Sequence, residues 1–308
     1  MVKVNVAFAA LCALSLASAS LAQDRVQNEA RGEVVYEIFV RSFQDSDGDG
    51  VGDLDGVTER LPYLAELGVT GLWLMPIHPS PSYHGYDVTD YTTVHPDYGT
   101  LQDFDELVAA ASALGIEIIL DLVVNHSSNR HPWFLAALNG DPDYREHYLW
   151  SDERLGWLGT GGGPAWHPNP YGEGYYLGLF VDFMPDLNLR DADATEDLQA
   201  VAAYWLGRGV AGFRVDAIQH LIESESGGIR NTPETLAWVR DFEAFIRSVK
   251  PEAYLVGETW TDAGTIAQYF ERADLDYAFD YPLFTTLTGS SSVLRSRNPV
   301  NLRLALEQ

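Results

Sequence analysis

The sequence predicts an α/β protein built on a parallel sheet, and three observations carry that reading. From about Gly32 onward, short β-rich runs alternate with amphipathic helical patterns, the order that generates parallel strands. Residues 116–124 are apolar almost without interruption, as in a strand buried on both faces. Four strands end in clusters of polar residues, where functional groups of parallel sheets gather. Either a barrel or a doubly wound sheet satisfies all three.

Residues 34–40 read as the first strand, and Val57, Leu61 and Leu64 then mark one apolar helix face. Residues 70–75 form the second strand. Thr100 and Asp103 make a capping box ahead of Phe104, Leu107, Val108 and Ala111 at helical spacing. Residues 116–124 are the third strand. Leu198, Val201, Ala202 and Trp205 form the next helix face, and residues 212–215 the fourth strand. Thr232-Pro233 opens a helix with proline at its first position, carrying Leu236, Val239, Phe242 and Ile246. Residues 254–256 and 277–279 complete the series as the fifth and sixth strands. Between Ser127 and Phe183 the rhythm breaks into aromatics, glycines and prolines. A loop that long implies a functional insertion, here a small subdomain after the third strand.

The 308 residues, 46% of them hydrophobic, suffice for a sizeable core. The formal charge is −26, from 45 acids against 19 bases. That excess argues against nucleic acid and anionic membranes as partners and suits a neutral substrate. It also fits a protein that works in salt, where screening weakens self-repulsion. Residues 1–22 read as a secretory signal peptide: Lys3 is the positive end, residues 6–16 the apolar core, and Ser20-Leu21-Ala22 the cleavage site. The run is too short and alanine-rich to span a membrane. Cys12, the one cysteine, lies inside it. The mature protein is therefore expected to be secreted or periplasmic and free of disulfides.

The strand-end clusters carry the chemistry. The third strand ends in Asp121-Leu-Val-Val-Asn125-His126, the fourth in Gly212-Phe-Arg214-Val-Asp216 with His220 beyond. The fifth ends in Val256-Gly-Glu258-Thr-Trp260, and the second leads into His84-Gly-Tyr86-Asp87. Alternation along a strand puts Arg214 and Asp216 on one side. The guanidinium favours an ionised Asp216, as a nucleophile requires. Glu258 lies near Trp260, an apolar neighbour expected to keep it protonated as a general acid. Two carboxyls so tuned, about 5 Å apart across a glycosidic bond, define a retaining hydrolase. A structural ion pair and a loop glutamate are the bland alternative, which four such clusters in order disfavour.

Together these segments resemble the short conserved regions of glycoside hydrolase family 13, the α-amylase family, from about Val34 to the end of the chain. The resemblance implies a (β/α)8 TIM barrel over residues 32–126 and 184–308, with domain B inserted as residues 127–183. It implies that Asp216 is the nucleophile and Glu258 the acid/base. Arg214 then contacts the nucleophile, His126 binds substrate and Tyr86 stacks on the reacting sugar. Asp121 and Asn125 match positions that are mainly structural. Met184-Pro-Asp-Leu-Asn188 resembles the fifth region of a subgroup between oligo-1,6-glucosidases and neopullulanases, which includes secreted α-amylases. His220 matches a histidine used beyond the cleavage point. Tyr83 stands where exo-acting relatives place a blocking aspartate.

These features favour an endo-acting or oligosaccharide-trimming α-1,4-glucanase, with starch, maltodextrins or another α-glucan or maltooligosaccharide as substrate. An α-glucosidase or 4-α-glucanotransferase on the same site is the alternative, and an inactive sugar-binding chain the alternative from another class. The family's fourth region, with its third carboxylate, is expected after the sixth strand, and the sequence reaches Gln308 before it. A barrel truncated after about six strands is thus expected, and these residues alone are not expected to close it or hydrolyse starch. The insertion's aromatics (Trp133, Trp150, Trp157, Trp166, Tyr171, Tyr175 and Tyr176) read first as its core and only second as sugar platforms.

Asp45-Ser-Asp47-Gly-Asp49-Gly50-Val51-Gly-Asp53 places oxygens at alternate positions, with Val51 offering its carbonyl. This is three-quarters of an EF-hand-like calcium loop. Gly56 stands where the bidentate glutamate is needed, so it is not an EF-hand. A hydrophilic turn is the alternative, but acids this dense repel one another without a cation, and family members carry such a loop. Calcium is the expected cofactor.

Overall fold

The computed structural model describes residues 33–224 and 226–288. The signal-peptide reading of residues 1–22, and whatever follows residue 288, lie outside the described residues. Six parallel strands form the main sheet: β1 (Val35–Ile38), β2 (Gly71–Leu74), β3 (Glu117–Leu122), β7 (Gly212–Val215), β8 (Tyr254–Gly257) and β9 (Tyr277–Ala278). Their order in the sheet is their order in the chain. Every crossover therefore advances by one strand, which builds a barrel wall; a doubly wound sheet reverses direction at a switch point.

The intervening helices form where the sequence signals place them. Asp53 caps the Leu54–Glu66 helix by accepting from the Gly56 amide, and Leu54, Val57, Leu61 and Leu64 are buried along one stripe. Thr100 and Asp103 form the reciprocal capping box of the Leu101–Ala113 helix. Thr232 caps the Pro233–Val249 helix, whose Leu236, Val239, Phe242 and Ile246 turn inward. The helix-facing side of the sheet (Leu72, Leu74, Leu120, Phe213, Val215 and Leu255) is almost completely buried. At Gly212 the strands β7 and β8 run so close that a Cβ would lie 2.2 Å from the Tyr254 carbonyl oxygen.

Residues 127–183 contain two short helices, Pro132–Leu138 and Pro142–Arg145, and an antiparallel sheet of order β4-β6-β5 (Trp150–Ser151, Tyr175–Leu177 and Trp166–Pro168). Trp166, Leu177, Leu179 and Ala165 make a separate apolar cluster against which Trp157 and Tyr175 pack, while Tyr176, Trp133 and Trp150 join the main core. Tyr171 alone of the seven aromatics is largely exposed, at 71%. Packing thus accounts for six of them. The two ends of the insertion are drawn together by Leu187 N–H to Asn125 O and Ser127 N–H to Pro185 O. His147 adds a clamp between Asp191 and Asp197, at 3.0 and 3.2 Å.

Candidate active site

Register assembles the site. Asp121 on β3 pairs with Arg214 on β7, which pairs with Val256 on β8. Because side chains alternate, Asp121, Arg214, Asp216 and Glu258 emerge on the concave face at the carboxyl ends of consecutive strands. The parallel ladder runs one step beyond the strands and fixes both ends: Asp216 N–H donates to Leu122 O, and Glu258 N–H to Val215 O, each at 3.1 Å.

Arg214 is the hub. Its Nη1 lies 2.8 Å from Asp121 Oδ1 and 2.6 Å from Asp216 Oδ1, and its Nη2 lies 2.9 Å from Glu258 Oε2. The guanidinium also sits over the Trp73 and Tyr86 rings, at 5.1 and 5.7 Å. Tyr86 donates its hydroxyl to Asp121 Oδ2 at 3.0 Å. Asp121, which the resemblance assigns a mainly structural place, is therefore in direct contact with the reacting cluster. Its buried carboxylate fixes both the arginine and the tyrosine.

Three carboxyls share one cation, and the surplus charge decides the protonation. Burial pushes Asp216 up to about 8 against the attraction of Arg214, with Asp121 and Glu258 adding repulsion. Asp121 rises to about 6, again mainly by burial. At Glu258 burial also favours the neutral acid, but Arg214, the Ala217 N–H, the Trp260 indole and a hydrogen bond with Asp216 together outweigh it and lower the pKa. The Ala217 amide reaches Glu258 Oε2 at 3.0 Å because Ala217 is left-handed (φ 49, ψ 31). Trp260 Nε1–H donates to Glu258 Oε1 at 2.9 Å.

The directions of both shifts run opposite to those expected from the sequence. Trp260 meets Glu258 through its polar edge, not its apolar face, so it favours the anion. Burial favours the neutral form of Asp216, and the hydrogen bonds and Arg214 favour the anion of Glu258.

The two histidines are joined through Asn125. Its Nδ2 donates to His220 O at 2.8 Å, which turns its Oδ1 toward His126 Nδ1 at 3.0 Å. His126 Nδ1 must then carry the proton. His220 Nδ1 likewise donates to Ile229 O, at 2.7 Å. Burial lowers both histidines to about 4, so both are neutral at pH 7. Phe180 of the insertion packs against both rings, at 5.3 and 5.7 Å. Periodicity offered no signal for Phe180.

A cleft of about 370 Å³ opens beside Arg214 and Glu258, lined also by Glu37, Trp73, Tyr86, Phe279 and Tyr281. Trp73 and Glu37 were legible only as alternate members of strands. Tyr281 follows the sixth strand, where nothing in the sequence marks it. A second hollow of about 390 Å³ continues along the concave face toward Val35, Ile119 and Tyr254. It contains none of the four clustered groups.

The acidic loop lies between β1 and the Leu54–Glu66 helix. Carboxylate oxygens of Asp45, Asp47 and Asp49 lie within 4.8 Å of one another, close enough to converge on one ion. These three fit an oxygen-ligated cation such as calcium. Asp53 does not join them: its Oδ1 caps the helix at Gly56 N, and its Oδ2 accepts from Ser46 N and Oγ. Backbone amides also bind the loop carboxylates, Gly48 and Gly50 donating to Asp45 and Val51 to Asp49. The amides of Gly48 and Gly50 hold Asp45 below the usual carboxylate range. The loop's charge is thus partly relieved by its own backbone.

Two carboxyls at consecutive strand ends of a barrel wall, tied to one guanidinium, form a site of the glycoside-hydrolase type. Residues 37–302 match the family model of the alpha-amylase catalytic domain. Alpha-amylase 3 of Dictyoglomus thermophilum is 44% identical over 261 residues, covering 84% of this chain and 49% of that protein. An alpha-glucosidase of Apis mellifera is 35% identical over 303 residues, covering 88% of this chain and 52% of that protein. Among solved structures, the alpha-amylase from H. orenii shares 45% identity with a TM-score of 0.75, over 82% of this chain and 52% of that one. Bacillus licheniformis trehalose-6-phosphate hydrolase shares 33% identity with a TM-score of 0.78, over 82% and 49%. The chain belongs to the alpha-amylase family of glycoside hydrolases. It spans about half the length of the curated relatives it matches.

Proposed function

We propose that the protein hydrolyses α-1,4-glucosidic bonds of starch, maltodextrins or related α-glucans with retention of configuration. The observation that carries this reading is the placement of Asp216 and Glu258 on one guanidinium at adjacent strand ends. Asp216 attacks the anomeric carbon while Glu258 gives its proton to the departing glycosidic oxygen. Glu258 then takes a proton from water, whose oxygen displaces Asp216. The cycle needs one proton on this pair, carried by Glu258 when the leaving group departs. Tyr86, His126 and His220 bind the sugar around the scissile bond, and Arg214 holds the nucleophile.

Endo action is favoured by Tyr83, which is 72% exposed and leaves the far end of the site without a blocking carboxylate. The names of relatives include both alpha-amylase and alpha-glucosidase, so product analysis must separate the two. On soluble starch the full-length protein should release mixed maltooligosaccharides, initially as α-anomers by NMR. Glucose alone would make it an α-glucosidase, and initial β-anomers would remove the retaining assignment. Affinity without turnover would indicate a sugar-binding chain. Calcium held by Asp45, Asp47 and Asp49, and a secreted or periplasmic location, complete the proposal.

A further inference from the structure

Both ring nitrogens of His220 are already engaged within the protein. Nδ1 donates to Ile229 O at 2.7 Å, and Nε2 lies 3.1 Å from Gln219 Nε2. A carbonyl only accepts, so the ring proton sits on Nδ1 and Nε2 keeps one lone pair. Whatever meets that lone pair must donate. This fixes the Gln219 carboxamide, with its NH2 group facing His220 and its oxygen pointing away. That oxygen, Oε1, is buried and has no hydrogen-bond partner. Turned the other way, the amide would set two acceptors against each other unless the ring took a second proton, which burial opposes. Gln219 and His220 are 5% and 3% exposed. A buried amide with an idle oxygen is a poor choice for packing alone. Its use lies in the N–H that reaches His220.

The geometry points to Gln219 as a positioning residue that occupies His220 Nε2 and so weakens the hold of His220 on the sugar beyond the scissile bond. This inference rests on the proposed hydrolytic cycle, in which His220 binds that sugar. The single lone pair of Nε2 takes one donor in line. A sugar hydroxyl that donates there must first displace the Gln219 amide. Displacement removes the carboxamide's one side-chain hydrogen bond and leaves its NH2 group unpaired beside an oxygen that already is. Binding on this side is therefore weaker than it would be beside an apolar residue. Among the described residues, Ile229 and Gln219 alone hydrogen-bond the ring. Phe180 packs on it from the insertion, at 5.7 Å, and the charged groups near it are Arg230 and Glu258.

Gln219→Leu removes the competing amide at similar volume. In the full-length protein, KM for a maltooligosaccharide should fall about two- to tenfold, the range of one net hydrogen bond. KM for α-maltosyl fluoride, whose leaving group carries no hydroxyl, should not change. Loss of a merely structural contact would instead raise both. A KM for the maltooligosaccharide that stays or rises overturns the proposal, as does an equal fall for the two substrates. A second readout needs no turnover: the 15N signals of His220, assigned by their loss in His220→Ala. The wild-type ring should be neutral at pH 7, with its proton on Nδ1. Gln219→Glu sets a carboxylate at Nε2 and demands a proton there, so the ring should titrate above its ordinary value of about 6.5. A wild-type proton on Nε2, or a ring that titrates alike in both proteins, also overturns the proposal. If the wild type turns over no α-glucan, the hydrolytic reading fails, and the calorimetric affinities of the wild type and Gln219→Leu for a maltooligosaccharide take the place of KM.

Discussion

Asp216 Oδ1 lies 2.6 Å from Arg214 Nη1, and that nitrogen also lies 2.8 Å from Asp121 Oδ1. One buried cation thus compensates acids from two neighbouring strands while holding Glu258 with its other nitrogen. Removing the arginine leaves three carboxyls facing one another without their shared cation. Arg214→Met should lower the unfolding free energy at pH 7 by about 3–5 kcal/mol, as for other broken buried ion pairs. The loss should shrink toward pH 5, where the carboxyls can protonate instead. Urea melts at the two pH values check this, and equal losses at both would contradict the charge argument.

Asp216→Asn should abolish turnover by several orders of magnitude and at the same time stabilise the fold. The folded pKa of Asp216 is raised to about 8, against about 3.9 in the unfolded chain. The stability contributed by its protonated form is fully present below pH 4 and is lost as pH rises through 8. Asparagine keeps the neutral shape without that loss. The melting temperature of the variant should exceed that of the wild type by a margin that widens from pH 4 to pH 8 and then levels off. A margin that narrows over this range would show that Asp216 is ionised at rest.

Calcium should raise the melting temperature by mass action, since its ligands converge only in the folded loop. Chelation should lower it, and Asp47→Ala combined with Asp49→Ala should abolish the response. Asp53→Ala separates the two roles found in this loop. It removes a helix cap, expected to cost about 1 kcal/mol, and should leave the calcium response in place. Calorimetry with and without chelator reads both.

Salt should stabilise the protein. With 45 acids against 19 bases, self-repulsion opposes compaction, and the screening length falls from about 10 Å at 0.1 M to about 3 Å at 1 M. The melting temperature should rise with sodium chloride over that range. A flat response would mean that the acids are already compensated pair by pair.

The sequence alone was enough for whatever depends on neighbours along the chain. Strand and helix order, the Thr100–Asp103 capping box and the Pro233 helix start are local, set by side-chain periodicity and backbone hydrogen bonding within a turn. The shared side of Arg214 and Asp216 follows from strand alternation in the same way. Tertiary structure decided the rest. Strand order across the sheet distinguished a barrel wall from a doubly wound sheet, because both write the same alternation into the chain. Asp121 meets Arg214 through the β3–β7 register across 93 residues, and Phe180 reaches His126 and His220 from the insertion. The pKa directions at Asp216 and Glu258 run opposite to expectation because burial dominates at the first, and because the sequence places Trp260 beside Glu258 without saying which edge of the indole faces the carboxylate. Burial, which raises Asp216, and the direction of one N–H, which lowers Glu258, are properties of packed geometry. They come into being only when distant strands meet.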